Sequence, residues 1–158
     1  MDADDINLMG VDRLLEAAVA SGTVYAAGKS YDVDITGLNL IYDPSDDLAP
    51  FNDVIPLNGF LDQADKTGVY PFLCSGATLI RTDVVRRFGG WDEGLRDVSE
   101  DVALLAKVSA HYEGAWVGKP VLAYRKHASS ITAGVRSEKD QKAAWDSIRA
   151  NVRASLLS

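Results

Sequence analysis

The chain has a single cysteine, Cys74, so it can form no internal disulfide. That fits a reducing, cytoplasmic compartment. Cys74 lies in an apolar run and reads as a small core residue rather than a nucleophile. No stretch approaches the ~18 apolar residues a membrane helix needs, and no signal-peptide pattern is read at the start. Positive charge is in the minority: the formal net charge is −7. A general nucleic-acid binder would present a basic face, so no nucleic-acid partner is expected. There is no internal repeat and no low-complexity segment. What remains is 158 residues, 47% of them hydrophobic, enough for a core in one domain or part of one.

The densest chemistry is at the start, Met1-Asp2-Ala3-Asp4-Asp5. Three carboxylates without a neighbouring base repel one another in water. A hard divalent cation such as Mg²⁺ or Mn²⁺ relieves that repulsion and keeps positions open for phosphates. Asp2-Ala3-Asp4 therefore reads as a D-x-D clamp. Two plainer readings stand beside it: a solvated chain end, or a helix cap from Asp4 or Asp5. An EF-hand does not fit, because Ile6 and Asn7 occupy the places of its third ligand and its glycine.

Val11, Leu14, Leu15, Ala18 and Val19 recur at helical spacing and predict one apolar helix face ending near Ser21-Gly22. Thr23 to Ala27 and Tyr31 to Ile35 read as two strands joined by a Gly28-Lys29 turn. Prolines 44, 50 and 56 break up residues 36 to 70, with a short helix expected from Leu57 to Ala64. Tyr70 to Cys74 predicts a buried strand running into Ser75-Gly76-Ala77. There Gly76 allows close backbone approach, or marks a simple bulge. Asp83 to Phe88 reads as a helix capped by Thr82 and stopped by Gly89-Gly90. Trp91-Asp92-Glu93 follows as a loop, able to stack on a sugar ring or merely to pack.

Ser99-Glu100-Asp101 opens a helix with Val102, Leu105 and Val108 as its buried stripe. A carboxylate in that first turn is rigidly placed and can serve as a general base, or simply complement the helix dipole. His111 reads as a favourable charge at the helix end. Ala115 to Val117 and Val121 to Tyr124 predict a hairpin around Gly118-Lys119-Pro120. Arg125-Lys126-His127 then offers a place for phosphate and metal, although a lone His is usually structural. Glu138 to Leu157 reads as a last helix with Ala144, Ile148, Val152 and Leu156 along one side. That side is free to cover the sheet, meet a partner or touch a membrane surface.

Five short motifs stand in one order: Asp-Ala-Asp-Asp, Ser-Gly-Ala, Gly-Gly-Trp-Asp-Glu, Ser-Glu-Asp and Tyr-Arg-Lys-His-Ala-Ser-Ser-Ile-Thr. From Met1 to about Thr132 this order and spacing resemble the second half of a glycosyltransferase family 2 domain of the GT-A fold. The resemblance implies an α/β fold with a mixed sheet flanked by helices. Residues 1–132 would be the metal and acceptor half, and 133–158 a C-terminal helix. It implies that the Rossmann-like nucleotide-binding half is missing, so a truncated form is expected.

The resemblance also implies roles. Asp2, Asp4 and His127 would bind Mn²⁺ or Mg²⁺, and Asp101 would be the catalytic base. Ser75, Gly76, Trp91, Asp92, Glu100 and Arg125 would line the substrate. The partners implied are a nucleotide-sugar donor and a carbohydrate or other hydroxyl acceptor, with inversion at the anomeric carbon. The alternative expectation is a catalytically inactive remnant acting as a protein-interaction module through its exposed sheet and final helix, with self-association or peripheral membrane contact as further options.

Overall fold

The computed structural model describes residues 5–34, 36–37, 39–42, 51–67, 75–95, 100–127 and 138–156. The architecture is mixed α/β: one mixed sheet with helices on both faces. Two long strands form its centre, β2 (Tyr25–Val33) and β6 (Gly114–Arg125), and they run parallel. Each carries two short antiparallel strands end to end along its outer edge. Along β6 these are β4 (Val54–Ile55) near its start and β1 (Ile6–Asn7) near its end. Along β2 they are β5 (Thr78–Ile80) near its start and β3 (Leu40–Tyr42) near its end.

Both central strands differ from the sequence expectation. Gly28-Lys29 and Gly118-Lys119-Pro120 look like turns, yet the chain passes straight through each. The ladder absorbs them instead as register shifts flanking Lys29, which pairs with Pro120. Pro120 lacks an N–H, and a bulge is where a strand tolerates that loss. Gly28 is required by proximity: a Cβ there would stand 2.9 Å from both methyls of Val121. The predicted hairpin is thus one strand.

Helix α1 (Gly10–Ser21) covers one face of the sheet. The N-cap is Met9, without a side-chain cap, and the Asn7 side-chain carbonyl accepts from the Gly10 N–H at 2.6 Å. Leu14 is buried against Ala26, Ala115, Val121 and Leu122. The larger residues of the predicted face, Val11, Leu15 and Val19, are instead exposed. Leu14 meets the sheet with Ala17 and Ala18 beside it, and at the helix start the approach is tight: a Cβ on Gly10 would lie 2.4 Å from the Val121 carbonyl oxygen.

The opposite face packs against α2 (Gly59–Thr67) and α4 (Glu100–His111). Tyr25, Ala27 and Trp116 alternate with residues facing α1 and join Phe60, Leu104, Leu105 and Val108 in the main core cluster. Burying each such side chain contributes roughly 1.5–3 kcal/mol. Helix α4 is buried on more than the expected stripe, since Ala103, Ala106 and Ala110 face α5 (Glu138–Ser155). Trp145, Ile148 and Val152 of α5 fill that contact together with Leu61 of α2, while Leu156 stays exposed. The last helix therefore lies on other helices and not on the sheet.

A short helix, α3 (Thr82–Arg87), follows β5. Its N-cap is Arg81, without a side-chain cap, rather than Thr82. Gly89 and Gly90 stop it with φ of 81° and 72°, as their type predicts. Among the described residues no helix is long and apolar enough to cross a membrane.

Candidate functional site

Two of the singled-out residues, Ser75 and Trp91, line one half-open cleft of about 260 Å³, and a third, Asp101, adjoins it through its bond to Ser75. Ser75 begins the 3-10 turn Ser75–Ala77, which leads directly into β5. Because β5 is antiparallel to β2, with Thr78 opposite Ala27, that turn lies toward the carboxyl half of β2. Trp91, half-exposed, lines the same cleft from the loop after α3. Leu104 and Leu105 of α4 form its floor, and Asp101 stands one helical turn before them.

Asp101 has an unusual environment. Burial pushes its carboxyl above the ordinary aspartate value, and the nearby Glu100 charge pushes the same way. The Val102 N–H donates to it at 2.8 Å, and the Ser75 hydroxyl donates to it as well. Both bonds favour the ionised form without restoring the usual value. Among the described residues no base is one of the groups that set its ionisation. A carboxylate desolvated in this way is a stronger proton acceptor than an exposed one.

Asp92 is exposed, and its carboxylate accepts from the Gly94 N–H at 3.0 Å, which shapes its own turn. Glu100 sits beside Asp101 in the first turn of α4 and is half-buried. Gly76 is the middle residue of the 3-10 turn.

A second group gathers at the carboxyl end of β6. The Arg125 N–H points to the Asp5 carboxylate at 3.4 Å, so the third acid of the opening run reaches the strand that ends in Arg125-Lys126-His127. The Arg125 Nε is buried without a hydrogen-bond partner. Lys126 reaches Asp32 on the adjacent strand at 3.3 Å and lies over the Tyr124 ring at 4.7 Å. Asp32 is buried, and burial raises its carboxyl pKa; the Lys126 ammonium pulls it back only partly. This Asp32–Lys126 pair is absent from the sequence expectations. Its only signal is an acid inside an alternating strand.

Asp2 and Asp4 lie outside the described residues, as do the expected strand Tyr70 to Cys74, the Ser99 cap and Ser129 to Thr132. Among the described residues no three His, Cys, Asp or Glu side chains gather closely enough to hold a metal ion. His127 is half-buried just past the end of β6. No protein-family model matches the chain, and no curated protein or solved structure matches it significantly.

Proposed function

We propose that the chain is a GT-A-like domain of a family 2 glycosyltransferase, moving a sugar from a nucleotide sugar to an acceptor hydroxyl with inversion. The observation that carries this reading is Asp101: a desolvated carboxylate with no base partner among the described residues, fixed on a rigid helix start and bonded to Ser75, which lines an open cleft together with Trp91. The acceptor oxygen attacks the anomeric carbon from the Asp101 side. Its proton passes to the Asp101 carboxylate as the new bond forms. Trp91 offers an apolar ring face at the cleft, and Ser75 holds the carboxylate in place.

The donor diphosphate would leave on the other side, toward Arg125 and His127. Asp5 lies against the Arg125 backbone, two residues before His127, and together with Asp2 and Asp4 these residues would supply a donor set suited to Mn²⁺ or Mg²⁺. When bound, such an ion offsets the charge on the departing diphosphate.

The test is calorimetric titration of the native chain with nucleoside diphosphates, with and without Mn²⁺, followed by a transfer assay. The expected result is metal-dependent binding that survives in Asp101→Asn while transfer is lost. Binding indifferent to the metal, or no binding at all, rejects the reading.

A second reading, association without catalysis, is favoured by the exposed row Val11, Leu15 and Val19 on α1. A second copy is the occupant it would take. Sedimentation across a concentration series would show a dimer abolished by Leu15→Glu. A monomer at every concentration removes it.

A further inference from the structure

The cleft beside Asp101 has walls of an unexpected kind for a sugar acceptor. Leu79, Ile80, Val85, Leu104 and Leu105 supply most of them, with Trp91 completing the apolar lining. Among the described residues, polar side chains enter at Ser75 and Thr78. A free sugar brings hydroxyls all round its ring, and each one buried without a partner costs about 1–3 kcal/mol. This cleft would leave most of them unpaired. An alkyl chain meets no such cost and gains about 0.8 kcal/mol for each methylene buried. Pockets that bind small molecules are commonly of this make-up, apolar with a few placed polar groups, and this one falls just below their usual size range.

We infer that the acceptor is an aliphatic alcohol, its chain seated in the cleft and its hydroxyl at the Ser75–Asp101 corner. The inference rests on the reading of Asp101 as the base. The reaction then balances simply. The alcohol O–H proton goes to the Asp101 carboxylate, the alcohol oxygen bonds to the anomeric carbon, and the bond from that carbon to the nucleoside diphosphate breaks. The diphosphate departs with the electron pair.

The experiment is methyl NMR of the native chain, following Ile80, Val85, Leu104 and Leu105 during titration with 1-butanol, 1-hexanol, 1-octanol, hexyl methyl ether and glucose. The expected result is saturable shifts confined to these methyls, tightening about fourfold per added methylene. Glucose should leave them unmoved, and the ether should bind more weakly than an alcohol of similar length. Val85→Trp, which fills the cleft from its rim, should abolish the shifts. Asp101→Asn should keep alkyl binding but lose the preference for the alcohol over the ether, which a loosened structure would not produce. Shifts from glucose and none from the alkanols overturn the inference, as do alkanol shifts spread evenly to Leu14 and Val121 on the far face.

A parallel titration with nucleoside diphosphate and Mn²⁺ separates the two readings. Alkanol binding without diphosphate binding removes the transferase and leaves an alcohol-binding cleft. Diphosphate binding without alkanol binding keeps the transferase and removes the aliphatic acceptor.

Discussion

Asp101 and Asp32 are both acids withdrawn from water, and burial is the main influence raising each pKa. Their surroundings differ in one respect. Asp32 faces Lys126 across two adjacent strands. Asp101 has a hydroxyl and a backbone N–H but, among the described residues, no cation that shifts it. The paired acid is a structural device, since its charge is partly answered where it sits. The unpaired acid keeps a charge that the fold does little to stabilise, and such a group is available for proton transfer.

The largest difference should appear in turnover. Asp101→Asn is expected to lower sugar transfer about 10²–10⁴-fold, the usual contribution of a general base. Asp32→Asn should leave transfer within a few-fold of the parent. Equal losses in both would erase the distinction.

Next comes stability. Lys126→Met should cost about 1–2 kcal/mol at pH 7 by urea denaturation. That is below the 3–5 kcal/mol of a fully buried pair because Lys126 is 38% exposed. The cost should shrink in acid as Asp32 takes up a proton.

Asp101→Asn should act the opposite way and raise stability at pH 7 by about 1 kcal/mol or less. The sign follows from the direction of the shift. A carboxyl whose folded pKa is raised favours folding when protonated, below its unfolded pKa. It loses that contribution as pH rises through the folded value. The gain from Asn should therefore be present at neutral pH and vanish in acid. A destabilised variant at pH 7 would mean that Asp101 is a helix cap first.

The smallest effect is that of Ser75→Ala. It removes a bond to the ionised form, so the Asp101 carboxyl should titrate higher still in a carboxyl-detected NMR titration. The cost in stability should be about 1 kcal/mol. An unmoved titration would detach Ser75 from the site.

Much of the helical structure was legible in the sequence. The periodicity of α1, the short α2, the double-glycine stop of α3 and the acid-led start of α4 all read correctly. The buried side of α1 did not, because hydrophobicity favours Val11, Leu15 and Val19, whereas the helix docks through Gly10 and Leu14, with Gly10 too close to Val121 for any side chain. Trp145 was passed over in α5 because the apolar face is wider than one i, i+4 row. The two central strands were split because Gly-Lys and Gly-Lys-Pro have turn chemistry. A neighbouring strand with a matching irregularity overrides that preference, and no local window contains it. For the site, Asp101 was visible as an acid opening a helix. Its link to Ser75 and the apolar walls around it come from β5 and α4 meeting in space. Asp32 carried no signal of burial at all.

The tandem edge strands have a consequence for how the molecule assembles. The strand nearest the amino end pairs with the carboxyl half of β6. On a ribosome, α1 would therefore emerge long before the surface it covers exists, and would wait with Leu14 in water. Closing so large a loop is slow and comes late. β1 and α1, made before β6, are thus among the last to dock, and truncating the nascent chain before Val121 should leave α1 open to protease attack while longer chains protect it.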